Sequence, residues 1–264
     1  MIVASNVEGQ ADKLSGQLIL LTCLGGAFSA GGASAINHYL DRHLDAQMER
    51  TARRPVPAGR IHPAAALSFG ITLGIASFVL LATTVNLLAA SLALCGLLGY
   101  VFIYTMWLKM RTPQNIVIGG AAGAVPPLVG WAAVTGSLSL TAWMMFAIIF
   151  IWTPPHFWAL SLLIKDDYAR SSVPMLPVVR GEAYTKRQIM LYSLVLIPVT
   201  LVPVLTGAFG ALYAATAVVL GITFFAMTVN LRRSDERRKA LHVYLYSLAY
   251  LAILFVAMAV DSSI

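Results

Sequence analysis

Eight apolar runs, each long enough to cross about 30 Å of hydrocarbon as a helix, make up most of this chain. They lie at 17–40, 64–85, 87–108, 116–134, 138–164, 188–207, 209–229 and 241–260. The connections between them alternate in kind. Residues 41–63 carry five Lys or Arg, 109–115 carry two, 165–187 carry five and 231–240 carry five, whereas the turns near 84–86, 135–137 and 206–207 carry none. Basic connections stay on the cytoplasmic side of a membrane, so this pattern puts both termini on the outer side. It predicts an all-α, polytopic membrane helical bundle, a single domain over 1–264 set in a lipid bilayer. Residues 1–16 form a short lead without the basic start of a signal peptide.

Composition supports this reading. Charged residues make up 11% of the chain and apolar ones 59%, where a soluble domain carries about a quarter charged. Mean hydropathy is +0.79. The net charge of +7 would suggest nucleic acid in a soluble protein, but seventeen of the eighteen Lys and Arg fall in the four basic connections. No nucleic-acid partner is expected. Cys23 and Cys95 both lie inside apolar runs, where buried, reduced thiols are the default, and no zinc or disulfide pattern accompanies them.

The chemistry gathers at the inner helix ends. Asn37, Asp41 and Asp45 are spaced i, i+4, i+8, so they stack on one helical face as a hard-oxygen site suited to Mg²⁺. Arg50, Arg53, Arg54 and Arg60 follow, with Pro55, Pro57 and Gly59 ending the helix. Carboxylates for a metal beside arginines for an anion are what a diphosphate requires. The bland alternative is a solvated helix end. A second loop repeats the plan: Asp45 to Gly59 and Asp167 to Gly181 are both fourteen residues apart, hinting at a duplicated four-helix unit. In that register Leu163 and Ala159 replace Asp41 and Asn37. Asp166 and Asp167 are read either as sharing the metal–diphosphate site or as loop charges. Lys109, Arg111, Lys165 and Arg170 either bind the anion or set topology.

Two stretches inside the spans also stand out. In Trp152-Thr-Pro-Pro-His156, paired prolines interrupt the helical bonding and place a histidine at depth. His156 shares a face with Asp167 but lies about 16 Å from it at 1.5 Å per residue, too far to share one metal. It faces either an apolar substrate or a neighbouring helix that takes its hydrogen bond. The run from Arg111 through Asn115 to Trp131 is rich in glycine and alanine, for close helix packing or as a smooth wall beside a bulky ligand. A transporter would carry its charge at mid-depth, whereas these acids sit at the helix mouths.

NHYLDRHLD followed by MERTARRPVPAGRI resembles the first motif of the UbiA-type intramembrane prenyltransferase superfamily. YTMWLKMRTPQNIVIGGAAGAVPPLVGW, IWTPPHFWAL and KDDYARSSVPMLPVVRG resemble its heme-prenylating branch. The resemblance implies a nine-helix bundle in the cell membrane, with a central cavity and acidic motifs at its cytoplasmic mouth. It implies transfer of a farnesyl group from farnesyl diphosphate to a vinyl group of heme b, which is substrate rather than cofactor. Asn37, Asp41 and Asp45 match the positions that bind Mg²⁺–diphosphate, and Arg50 and Arg54 those that clamp the diphosphate. KDDY stands where the wider superfamily has DxxxD, which loosens the assignment of Asp166 and Asp167. Lys109, Arg111, Asn115, His156, Lys165 and Arg170 are carried as substrate-binding candidates. A downstream heme-modifying enzyme or a cytochrome oxidase assembly factor is the partner it suggests. The alternative is a prenyltransferase of the same fold acting on a quinone precursor or chlorophyllide. The superfamily's motif helix is its second, whereas here it is the first of eight. Residues 1–4 therefore read as the tail of a helix whose body lies upstream, and 5–16 as an outer loop. That predicts a start codon about twenty to thirty codons earlier, or a shortened form with little activity.

Overall fold

The apolar runs fold as helices whose ends are set by local chemistry. A computed structural model describes residues 1–264; it is helical, with no strand. A short α1 (Ile2–Val7) and a 3₁₀ turn (Ala11–Lys13) lead into α2 (Gly16–Leu40), whose first turn is capped by Ser15 accepting from the Leu18 amide. One further turn, α3 (Arg42–Asp45), follows. Pro63 begins α4 (Pro63–Thr84), with no amide to orphan at that position. Asn86 caps α5 (Leu87–Leu98) and donates to the Ala132 carbonyl at 2.7 Å. The remaining elements are α6 (Asn115–Gly123), α7 (Pro126–Thr135), α8 (Leu140–Leu163), α9 (Lys165–Arg170), α10 (Leu176–Val179), α11 (Gly181–Leu205), α12 (Ala211–Arg232) and α13 (Arg237–Asp261). Eight helical units are long and apolar enough to cross a membrane.

The helices depart from the sequence expectation at four places. Residues 116–134 form two helices, α6 and α7, because Pro126 and Pro127 supply no amide to carry the helix across Ala124 and Val125. The helix expected from 188 starts at Gly181, since GEAYTKR continues it beyond the apolar part. Past α5 the span goes on as a π-helix, Gly99–Leu108. At the amino end the helix reaches Val7, with Val3 and Ala4 buried, so part of the expected outer loop is helical.

Small residues bring the first helices together. A Cβ on Gly32 of α2 would lie 2.8 Å from the Gly70 carbonyl of α4, and one on Gly70 would lie 2.7 Å from Ile36. Lipid tails are as apolar as leucine, so such close backbone approach, rather than burial from water, holds these helices. The other half of the bundle is knitted by α8, α11, α12 and α13 around Trp158, Tyr213, Phe224 and Tyr250. There Asp261 accepts from the Gly210 and Tyr213 amides at 2.5 and 3.0 Å, capping α12. Cys23 and Cys95 are free thiols and exposed rather than buried, and Cys23 lines the cavity described below: an unpacked face of a span is as apolar as its packed side.

Candidate active site

The acid ladder survives a slight break in its helix. Residue 41 leaves the α2 conformation, yet the Asp41 amide still bonds the Asn37 carbonyl and the Asp45 amide that of Asp41, at 2.8 and 2.7 Å. The one-turn register therefore continues, and the side chains stack. Asn37, Asp41 and Asp45 are 7%, 7% and 2% exposed. Asp45 is held by Arg54 at 2.8 Å. Asp41 Oδ2 takes Lys109 Nζ at 2.5 Å and Asn37 Nδ2 at 2.6 Å.

Lys109 reaches Asp41 because of the π-helix. Nine residues separate Tyr100 from Lys109, two and a half turns of an α-helix, which puts them on opposite faces. A π turn closes on the fifth residue, so two turns take up about the same nine. The register is visible in the Lys109 amide bonding the Tyr104 carbonyl at 2.9 Å. Tyr100, Thr105 and Lys109 thus face α2. Thr105 Oγ1 donates to the Tyr100 carbonyl and receives Asn37 Nδ2 at 3.3 Å. Asn115, fully buried at the start of α6, donates to the Lys109 carbonyl at 3.1 Å and keeps its Oδ1 without a partner.

The second loop meets the first through Tyr168, Val173 and Met175, which pack on Met48 and Ile116. Burial pushes the Tyr168 phenol above its ordinary range; Arg50 and Arg54 pull it down and Asp167 pushes it up, so groups from both loops surround this ring. Asp167 is buried and paired with Arg170, which also approaches Glu49 at 3.8 Å. Asp166 is exposed, 4.0 Å from Arg237, and Lys165 pairs with Glu182 at 3.1 Å. Arg50 and Arg111 are exposed. Sequence reasoning passed over Tyr168, Thr105 and Glu49. Thr105 had one signal: a polar residue in an apolar run, four before Lys109.

A cavity of about 580 Å³ opens below the ladder. Ser29, Ala30, Ala33 and Ser34 line it from α2, so its wall leads within one turn into Asn37. Gly123, Pro126 and Gly130 line the far side, and Tyr100 the wall at the π-helix. The small-residue run packs closely at one end and lines the cavity at the other. Gly119 and Gly120 pack against Tyr104 and Thr153, whereas a Cβ on Gly123 would meet nothing within 4 Å. His156 is not among the lining residues. Its ring lies between Trp152 and Tyr244, and Nδ1 bonds Ser247 of α13 at 2.7 Å, the helix-to-helix bond of the alternative reading.

Every donor in the ladder is a hard oxygen, but no three acidic, His or Cys side chains converge. That suits Mg²⁺, which takes one or two carboxylates together with substrate phosphates rather than a closed protein cage. An acid–base mouth over a cavity in a bundle of eight membrane-length helices is the arrangement of an intramembrane enzyme.

Residues 3–258 match the UbiA prenyltransferase family, and the chain belongs to it. It is 56% identical over 244 residues to a protoheme IX farnesyltransferase of Roseiflexus sp. (strain RS-1), spanning 92% of this chain and 46% of that protein. It is 53% identical over 246 residues to a protoheme IX farnesyltransferase of Gloeobacter violaceus, spanning 93% of this chain and 81% of that one. Among solved structures it resembles a digeranylgeranylglyceryl phosphate synthase with a TM-score of 0.79 at 18% identity, over 99% of this chain and 90% of the other. It also resembles a UbiA homologue from Archaeoglobus fulgidus bound to GPP and Mg²⁺, with a TM-score of 0.65 at 14% identity, over 97% and 94%. At these identities the structures speak for the fold.

Proposed function

We propose that this protein transfers a farnesyl group from farnesyl diphosphate to a vinyl group of heme b, giving heme o and diphosphate. The observation that carries the reading is the junction of the Asn37–Asp41–Asp45 ladder with the cavity beneath it. Relatives more than half identical bear the name of this activity. By the positive-inside rule the basic ends face the cytoplasm across the cell membrane.

Asn37, Asp41 and Asp45 would hold Mg²⁺, which, when bound, neutralises charge on the diphosphate and eases its departure. Asp167 adjoins the first loop through Arg170 and Glu49, whereas Asp166 faces Arg237 away from the ladder. Arg50, Arg54 and Lys109 neutralise the remaining phosphate charge, with Arg111, Lys165 and Arg170 further out. The bond between the allylic carbon and the diphosphate oxygen breaks where the acid ladder meets the cavity. Tyr100 offers its ring face to the allylic cation at the top of the cavity. The terminal vinyl carbon then forms the new carbon–carbon bond. Water adds its hydroxyl to the cation left beside the porphyrin and releases one proton.

The test is diphosphate release from farnesyl diphosphate by purified protein in lipid, with heme b, a quinone precursor or chlorophyllide as acceptor. Release that rises only with heme b supports the assignment. Release driven by a quinone precursor or chlorophyllide overturns it in favour of another acceptor.

A further inference from the structure

Each buried carboxylate at the mouth already has a cation from its own chain. Asp41 holds Lys109 at 2.5 Å, Asp45 holds Arg54 at 2.8 Å, and Asp167 holds Arg170. The three bases come from different places: the end of the π-helix, the loop nine residues beyond Asp45, and the next turn of α9. Each of these three pairs is therefore neutral before anything binds. Lys109 is the most constrained of the three, at 12% side-chain exposure against 32% and 54% for the two arginines. It reaches Asp41 only by the π register, and Asn115 ties its carbonyl down.

A divalent ion at Asp41 would face the Lys109 ammonium on the same carboxylate. Like charges at such range in a partly buried site repel strongly, so the two exclude each other. Lys109 can leave only when another anion takes it, and a diphosphate supplies one. We propose that Lys109 is a positioning residue that makes metal and diphosphate uptake mutually dependent: it occupies Asp41 in the empty enzyme and passes its ion pair to the diphosphate on loading. Metal alone then binds weakly, because it must displace a lysine with nowhere to go. This inference rests on the diphosphate reading of the ladder. It adds a thermodynamic coupling between the two ligands, reciprocal by linkage. The orphan Oδ1 of Asn115 leaves an unused acceptor on the same segment.

The experiment is Mn²⁺ binding, followed by electron paramagnetic resonance, to the purified protein with and without inorganic diphosphate. Mn²⁺ is chosen as a hard-oxygen probe for the Mg²⁺ site. In the parent, diphosphate should tighten Mn²⁺ binding at least about tenfold, within the usual range of coupling between sites. Lys109→Met should bind Mn²⁺ alone about tenfold more tightly than the parent and lose most of the diphosphate effect. Lys109→Arg should behave as the parent. Structural damage does not raise metal affinity, so the gain is diagnostic. Should Lys109→Met fail to fold, Lys109→Gln keeps a polar side chain at the same place and should show the same gain in metal affinity. Variants that bind Mn²⁺ alone no better than the parent overturn the coupling but leave the metal site standing. Absence of Mn²⁺ binding from parent and variants, even with diphosphate, overturns the site reading as well.

Discussion

Gly123 separates the cavity's role from the stability of the fold. It lines the space under the acid ladder, and a Cβ there meets nothing within 4 Å, so added carbons project into the cavity without displacing protein. Each carbon that takes the place of a buried ligand methylene forfeits about 0.8 kcal/mol of apolar burial. Gly123→Ala should therefore lower kcat/KM about fourfold, at 1.4 kcal/mol per tenfold. Gly123→Leu adds four carbons, about 3 kcal/mol, and should lower it by about two orders of magnitude. Stability should move the other way, since replacing a helical glycine with alanine gains about 0.5–1 kcal/mol. The assay is farnesyl transfer in membranes, with product quantified by mass and protein by immunoblot, together with thermal unfolding in detergent. A leucine variant within threefold of the parent would refute the claim that this cavity holds the reacting ligands.

Asp45→Asn should lower transfer at least about two orders of magnitude, the usual scale for lost electrostatic stabilisation. Its level in the membrane should be nearly unchanged, because Arg54 can turn to solvent; near-parental turnover would remove Asp45 from the metal site. Gly32→Val should push α2 from α4 and lower stability by roughly 1–3 kcal/mol, as overpacking does; an unchanged unfolding midpoint would show that the close approach is unimportant. His156→Ala should lower the unfolding midpoint by loosening α8 on α13, while the apparent affinities for both substrates move alike. A selective loss of heme use would place His156 beside the acceptor instead.

The parts legible in the sequence were those set by local pattern. Eight spans could be counted because a membrane helix is apolar on every side, and the ladder could be read because Asn37, Asp41 and Asp45 share one face in any helix. The π-helix could not be read. Its register is held by tertiary contacts, Thr105 with Asn37 and Lys109 with Asp41, and nothing in GYVFIYTMWL marks it. Gly119 and Gly123 look alike in sequence, yet one packs against Tyr104 and the other borders the cavity. For Cys23 and Cys95, apolar surroundings could not tell an exposed face from a packed one, and for His156 a polar residue at depth could not tell substrate from helix partner.

Farnesyl transfer to heme is tested most directly by giving the purified protein heme b, Mg²⁺ and isotope-labelled farnesyl diphosphate in lipid and weighing the heme afterwards. The predicted product is heme whose mass has risen by one labelled farnesyl group and one hydroxyl, formed in step with diphosphate release and absent without Mg²⁺. Heme recovered unchanged while farnesyl diphosphate is consumed would contradict it.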